Sequence, residues 1–291
     1  MARWLVPGGT LVGCRALEGG VSASVHLLEV SGPGQGLRRV VVRRHGAQDW
    51  KPRHGQVTAT EYGLMRALGG LGLPVPAALA LDESCERLPT PYFVMDYVEG
   101  QTDIPAEALP DALGRMASFL AGLHALDPSR VELPGLPRIE DPREGALQYL
   151  PSSRPYAALR AELADAPSST ATRSVLHGDF WPGNVLWHGG RIAAVIDWED
   201  ASTGDAMSDL ASARVELRCA HGDAAMQAFT DHYAAKRAVD PERLALWEIY
   251  ASSAALATMS EWGLPAPDEH ARRRGTQRAL DQAVAAWTAR R

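Results

Sequence analysis

The sequence predicts an α+β fold in which a small antiparallel-sheet lobe precedes a larger, mainly helical lobe. Up to about residue 98, short β-prone runs are interrupted by one helix-like segment, residues 57–68. After that the helical period dominates, and in residues 109–126 leucines recur on one face at the spacing of a core-facing helix. We therefore expect an N-terminal lobe over residues 1–97 and a C-terminal lobe over residues 98–291.

In the N-terminal lobe, the Gly- and Pro-rich residues 32–36 predict a hairpin tip, and the apolar run at 39–43 predicts a strand. Residues 91–100 predict a buried strand that runs into a connector. In the C-terminal lobe, Gly189 and Gly190 predict the turn of a hairpin that ends at Ile196. Four Ala-rich segments with apolar periodicity predict the later helices, at residues 208–218, 224–236, 241–262 and 270–290.

The segment VLHGDFWPGNVLW at 175–187 carries the most chemical information. Asp179 lies in a loop containing Gly and Pro, Asn184 follows five residues later, and Asp197 follows thirteen residues after that, at the end of a β-prone run. This order matches the spacing of the catalytic loop and metal site in kinases. Each residue alone is compatible with an ordinary turn. Together they make phosphoryl transfer from a nucleotide the leading hypothesis.

Phosphoryl transfer needs a carboxylate near the acceptor hydroxyl and oxygen ligands for Mg²⁺. Asp179 can meet the first need. The side-chain carbonyl of Asn184 and the carboxylate of Asp197 can meet the second. His177 is interpreted as a hydrogen-bonded brace of the loop and not as a base.

These residues resemble the aminoglycoside phosphotransferase family of kinase-like small-molecule O-phosphotransferases. The resemblance is carried by HGDFWPGN at 177–184, IDWED at 196–200 and GDAMSDLA at 204–211. It implies a bilobal, protein-kinase-like fold with a nucleotide-binding N-terminal lobe and a catalytic, substrate-binding C-terminal lobe. It also implies that Asp179 is the catalytic base or orients the acceptor, that Asn184 and Asp197 ligate Mg²⁺, and that Asp209 braces the catalytic loop.

The same resemblance implies ATP or GTP as phosphoryl donor. Glycines in a hairpin would approach the triphosphate, an Arg–Glu pair would take the place of the kinase Lys–Glu pair, and main chain in the connector would bind adenine through the Asp96 carbonyl and the Val98 amide. A one-residue shift in strand register would replace Arg43 by Arg44. The predicted nucleotide-binding residues are Gly19, Gly20, Ser22, Arg43, Glu61, Asp96 and Val98.

Selectivity for the acceptor should come from the catalytic loop and the later helices. The candidate acceptor-binding residues are Trp181, Glu199, Asp200, Glu216 and Glu261. For each acid a solvated helix face is the alternative, and the basic run Arg272–Arg274 is interpreted in the same way. The acceptor could be an aminoglycoside antibiotic, which would imply a role in resistance, or choline, homoserine, a sugar or a macrolide. A catalytically silent nucleotide-binding protein and a metal-dependent hydrolase are the alternatives from other classes.

The composition limits the partners. The 291 residues are 46% hydrophobic and 22% charged, and a net charge of −6 argues against nucleic acid. The three scattered cysteines, Cys14, Cys85 and Cys219, predict neither a disulfide framework nor a zinc site. No apolar run approaches the ~18 residues that span a bilayer, so we expect a cytoplasmic protein without a membrane partner.

Overall fold

The computed structural model describes residues 9–17, 23–32, 35–45, 53–131, 136–139, 141–165 and 172–290. The chain forms two compact units. The first contains the described residues up to Gln101 together with Ala193–Glu199, and the second contains the other described residues. The predicted positions Gly19, Gly20 and Ser22 lie outside the described residues.

The first unit is built on a five-stranded antiparallel sheet with strand order β1-β2-β3-β5-β4. Its elements are β1 (Thr10–Ala16), β2 (Ala23–Gly32), β3 (Gln35–His45), α1 (Arg53–Gly70), β4 (Ala78–Asp82) and β5 (Tyr92–Asp96). Val40 and Val42 of β3 pack with Val30 and Val94 in one hydrophobic cluster. Because strand side chains alternate, Arg43 lies on the opposite face of β3.

The second unit is mainly helical. Its elements are α2 (Leu109–His124), β6 (Arg138–Ile139), α3 (Arg143–Tyr149), α4 (Ala157–Asp165), β7 (Arg173–Leu176), β8 (Val185–His188), the start of β9 (Arg191–Val195), β10 (Ser202–Asp205), α5 (Ala206–His221), α6 (Asp223–Ala234), α7 (Pro241–Thr258) and α8 (Ala266–Thr288). Strands β6, β10 and β7 form one small sheet, and β8 pairs with β9. A core of buried residues from α3, α4, α7 and α8 includes Leu163, Ile249, Leu280 and Trp287.

The predicted fold class is confirmed, with an antiparallel sheet in one unit and helices dominating the other. Helix α5 begins where the sequence gives it a cap, because the Asp205 carboxylate accepts a hydrogen bond from the Met207 amide at 3.1 Å. Asp205 also accepts from Arg243 and Trp247 of α7, which ties the two helices together. Within the described residues, no helix combines the length and the apolar character required to cross a membrane.

Candidate active site

The loop between β7 and β8 is held by one buried carboxylate of α5. Asp209 is 1% exposed and accepts hydrogen bonds from the backbone amides of His177, at 2.7 Å, and Gly178, at 2.8 Å. A buried charge that accepts several hydrogen bonds fixes the groups that donate to it. The position of the loop backbone is therefore set by α5.

A second buried residue supports this carboxylate. His124, in the last turn of α2, lies 3.1 Å from Asp209 through Nε2 and 2.8 Å from the Tyr233 hydroxyl through Nδ1. Burial alone raises the pKa of Asp209, but the hydrogen bond and charge of His124 and the loop amides lower it overall. The carboxylate therefore stays ionised in the interior.

Gly178 adopts a backbone conformation that an L side chain rarely takes, with φ of 87°. A Cβ atom at this position would lie 2.1 Å from the carbonyl oxygen of Asp200. Glycine is therefore needed at position 178 for two reasons. The φ angle is positive, and the backbone lies too close to the Asp200 carbonyl to leave room for a side chain.

The Asp179 carboxylate is oriented by two neighbours in the same loop. Its Oδ2 accepts hydrogen bonds from Asn184 Nδ2 at 2.9 Å and from Trp181 Nε1 at 3.2 Å. Asn184 Nδ2 also donates to the Asp179 carbonyl at 2.8 Å, and the Asp179 amide donates to His177 Nδ1 at 3.2 Å. Since Asn184 uses its amide nitrogen for these bonds, its side-chain oxygen is the atom suited to a metal.

In the first unit, Arg43 is surrounded by carboxylates. It is 6% exposed, and its Nε donates to Glu61 Oε2 at 3.0 Å. Its Nη2 donates to Asp197 Oδ1 at 2.6 Å and to Glu199 Oε2 at 2.8 Å. The structure thus brings the predicted Arg43–Glu61 pair together and adds Asp197 and Glu199 to it. Arg43 and not Arg44 has the inward register.

A histidine completes this cluster. His45 Nε2 lies 2.8 Å from Glu61 Oε2, and His45 Nδ1 lies 3.3 Å from Glu199 Oε2. Burial alone lowers the pKa of His45, but the hydrogen bonds that its ring donates to Glu199 and Glu61 outweigh burial and raise the pKa to about 9. Near neutral pH, His45 and Arg43 therefore supply two positive charges among three carboxylates.

Asp197 lies in a strained conformation, with φ of 67°. The following residue holds it in place, because the buried Trp198 donates from its amide to Glu61 Oε1 at 3.3 Å and from Nε1 to the Val195 carbonyl at 3.0 Å. Burial raises the pKa of Asp197, and Arg43 opposes this shift. A desolvated carboxylate of this kind is stabilised by any added cation.

The end of β5 carries the predicted adenine contacts. The Asp96 amide donates to the Ala77 carbonyl at 2.9 Å, on the β4 side, and the Tyr97 amide donates to the Arg39 carbonyl on the β3 side at 3.4 Å. Since backbone groups of an extended chain alternate in direction, the Asp96 carbonyl and the Val98 amide are expected on the same side. The Asp96 side chain pairs with Arg38 at 3.1 Å.

The candidate acceptor-binding residues fall in three places. Trp181 and Glu216 both contact Arg272 of α8, the first through its ring and the second through an ion pair. Asp200 and Glu261 are exposed in the second unit. Glu199 belongs to the first unit, with Arg43.

Comparisons with known proteins show the family to which the chain belongs. The model of the phosphotransferase enzyme family (APH) matches residues 13–247. The chain belongs to this family. Acyl-CoA dehydrogenase family member 11 of Gallus gallus is 31% identical over 174 residues, which is 53% of this chain and 22% of that protein. Hygromycin-B 4-O-kinase of Escherichia coli is 28% identical over 169 residues, 50% of this chain and 49% of that one. The chain thus spans at most about half the length of these curated relatives.

Solved structures share the fold along nearly the whole chain. A candidate aminoglycoside phosphotransferase from Ralstonia eutropha JMP134 superposes with a TM-score of 0.69 at 20% identity, covering 99% of this chain and 95% of that one. The GDP and kanamycin complex of APH(2″)-IIIa gives a TM-score of 0.68 at 19% identity, covering 98% and 97%. The fold is therefore that of the kinase-like aminoglycoside phosphotransferases.

Two residues that contact the predicted ones were missed or misinterpreted from sequence. His45 could have been found, because it shares a strand face with Arg43. The interpretation of the run Arg272–Arg274 as a solvated face is wrong for Arg272, whose side chain is 24% exposed and contacts two tryptophans.

Proposed function

We propose that this protein is a nucleotide-dependent O-phosphotransferase that moves the γ-phosphate of ATP or GTP to a hydroxyl group of a small molecule. The observation that carries the proposal is the oriented Asp179 carboxylate, held by Asn184 and Trp181 in a loop that is pinned by Asp209. This is the arrangement that positions an acceptor hydroxyl for phosphoryl transfer.

In the proposed reaction, Asp179 accepts the hydrogen bond of the acceptor hydroxyl and takes its proton as the oxygen bonds to the γ-phosphorus. The bond from the γ-phosphorus to the bridging oxygen breaks, and the nucleoside diphosphate leaves. Arg43, charged and oriented by Glu61, would hold phosphate oxygens. The Asp96 carbonyl and the Val98 amide would bind the purine.

The donor atoms proposed for Mg²⁺ fit that ion. Asn184 and Asp197 offer an amide and a carboxylate oxygen, and Mg²⁺ prefers oxygen ligands supplied by one or two side chains together with phosphates. In the described parts of the chain, no group of three or more His, Cys, Asp or Glu side chains is arranged as a metal cage. Mg²⁺, when bound with the nucleotide, would neutralise the phosphate oxygens.

The acceptor is proposed to be a small hydroxylated molecule. The E. coli relative is named as a hygromycin-B kinase, and one solved neighbour holds kanamycin, so aminoglycosides are one candidate class. Under that alternative the protein would confer antibiotic resistance. A choline, homoserine or sugar kinase and a macrolide kinase are further alternatives with the same chemistry.

The proposal is tested by replacing Asp179 with Asn. We expect turnover to fall by about a thousandfold or more, because the proton acceptor is lost, while the affinity for Mg²⁺-nucleotide stays within several fold. The measurements are ADP or GDP release across a panel of hydroxylated compounds, and thermal shift with Mg²⁺-ATP or Mg²⁺-GTP against Mg²⁺ alone.

An Asp231→Asn variant is the matched control, since Asp231 is exposed on α6. Turnover unchanged in Asp179→Asn would remove Asp179 from the reaction. An unfolding temperature that Mg²⁺-nucleotide does not raise in the wild type would exclude the nucleotide-dependent function itself.

A further inference from the structure

One arginine lies over two tryptophan rings, and one of these rings belongs to the predicted catalytic loop. The guanidinium carbon of Arg272, in α8, is 5.6 Å from the centre of the Trp181 ring and 5.3 Å from that of Trp262. These distances are within the range of cation–π attraction, and they hold a planar guanidinium against flat apolar surfaces.

The same guanidinium neutralises the acid that would otherwise attract a cation. Arg272 Nη2 donates to Glu216 Oε2 in a close ion pair. Burial raises the pKa of Glu216, and Arg272 opposes this shift. The Arg272 charge offsets that of Glu216 and weakens its attraction for a cationic acceptor, and an acceptor that displaced Arg272 from this partly buried pair would leave the guanidinium uncompensated.

Arg272 retains donors for a ligand. Among the residues that the structure describes, its side chain makes one hydrogen bond, through Nη2. A guanidinium has five N–H donors, so Nε and Nη1 can donate to an added oxyanion.

Arg272 lies close to the predicted catalytic carboxylate of Asp179. Trp181 connects the two, because its Nε1 donates to Asp179 Oδ2 at 3.2 Å while its ring lies against Arg272. A molecule whose hydroxyl meets Asp179 could therefore lie along the indole of Trp181 and place a second group at Arg272. All of these residues belong to the second unit.

We propose that Arg272 binds an anionic group of the acceptor, a carboxylate or a phosphate ester, and that Trp181 and Trp262 pack against the portion that joins this group to the hydroxyl. The proposal rests on the proposed phosphotransferase function and specifies its acceptor as a hydroxylated anion. It predicts discrimination against polycationic acceptors at this position, because the local carboxylate is already paired.

Binding is tested without turnover by ligand-observed NMR titration of a panel of matched pairs. Each pair consists of a hydroxylated acid and its neutral analogue. One pair is 4-(hydroxymethyl)benzoate and 4-(hydroxymethyl)benzamide, and another is 4-(hydroxymethyl)phenyl phosphate and 4-(hydroxymethyl)phenol. We expect at least one acid to bind about tenfold or more tightly than its neutral partner, since hydrogen bonds between two charged groups are stronger than those to a neutral one. The two acids distinguish a carboxylate from a phosphate ester.

Variants assign this preference to the proposed group. Arg272→Gln should remove it, and Arg274→Gln should keep it, because Arg274 is exposed on the same helix. Glu216→Gln should strengthen acid binding several fold, because it removes the competing carboxylate and leaves Arg272 in place. Circular dichroism checks that each variant is folded, and Arg272→Lys, which keeps the charge, should retain part of the preference.

Several results would overturn the proposal. They are a panel in which no acid binds more tightly than its neutral partner, a preference that survives Arg272→Gln, and a Glu216→Gln variant that loses binding of kanamycin or choline. The last result would show that Glu216 binds a cation.

Turnover separates this inference from the function on which it rests. With an accepted acid, Arg272→Gln should raise KM about tenfold and leave kcat within about threefold, as expected for lost acceptor binding. A wild-type protein that phosphorylates only cationic or neutral acceptors overturns the anion proposal and leaves the phosphotransferase function standing. A wild-type protein that binds acids through Arg272 but turns over no nucleotide supports the anion site and overturns the phosphotransferase function.

Discussion

At the scale of single residues, two positions at or next to predicted functional residues adopt backbone angles that side chains rarely take. Gly178 and Asp197 both have positive φ angles, of 87° and 67°. Glycine adopts this region without steric cost, whereas aspartate does so with strain that the surrounding contacts must offset. Asp197 is held by its ion pair with Arg43 and by the hydrogen bond of the next residue, Trp198, to Glu61. The strained residue is therefore one that is proposed to ligate Mg²⁺.

Gly178→Ala should therefore lower the free energy of unfolding more than alanine at another glycine with positive φ. Gly190 is the matched control, since its φ is 72° and no atom lies within 4 Å of an added Cβ. We expect Gly190→Ala to cost about 1 kcal/mol of unfolding free energy and Gly178→Ala about 3 kcal/mol or more, because the Asp200 carbonyl must move. Urea unfolding measures both, and equal losses would contradict the close approach.

The sequence predicted Asp179, Asn184 and Asp197 from their order, and Arg43 with Glu61 from a resemblance. It could not choose between Arg43 and Arg44, since a one-residue register shift turns a strand over. Pairing of Arg43 with Phe93 of β5 and packing of the adjacent valines decided the question. The functional roles of the five predicted residues, from Arg43 to Asp197, stay predictions.

At the scale of elements, the loop that carries Asp179, residues 177–184, depends on helix α5. The loop contributes backbone amides, and α5 contributes the one buried carboxylate that receives them. Helix α2 contributes His124, which hydrogen-bonds to the same carboxylate. Residues far apart in sequence therefore determine where Asp179 points.

Asp209→Asn should weaken both stability and activity. An asparagine amide cannot accept from both loop amides through two oxygens, and it places a donor against them. We expect a loss of about 3 kcal/mol in unfolding free energy and about a hundredfold in kcat, with nucleotide affinity little changed. Asp231→Asn, on the exposed face of α6, should have neither effect. An Asp209→Asn protein with wild-type kcat would show that the loop needs no such brace.

At the scale of the whole molecule, the buried charge cluster links stability to pH. The pKa of His45 is raised from its ordinary value of 6.5 to about 9 by Glu199 and Glu61, which outweigh burial. A raised pKa means that the folded state binds the proton more tightly than the unfolded state. The resulting stabilisation is complete below pH 6.5 and is lost as pH rises through 9.

We expect the wild type to lose up to about 3 kcal/mol of unfolding free energy between pH 6.5 and 9 because of His45. His45→Gln should be less stable at pH 6 and should lack this part of the pH dependence. Urea unfolding at pH 6, 7.5 and 9 compares the two proteins. Parallel pH profiles would show that His45 carries no proton in this window.

The sequence by itself determined the fold class and predicted the segment that holds the candidate catalytic residues, because strand and helix periodicity, turn residues and short spacings are local properties of a chain. Only the tertiary structure decided that His45 and Arg43 lie among three carboxylates, that His124 hydrogen-bonds to Asp209, and that Arg272 packs against two tryptophans, one of them in the loop that carries Asp179. The partners in those contacts come from different elements, so no local spacing in the sequence predicts that they meet. They depend on how helices and strands pack, which burial across the whole fold determines.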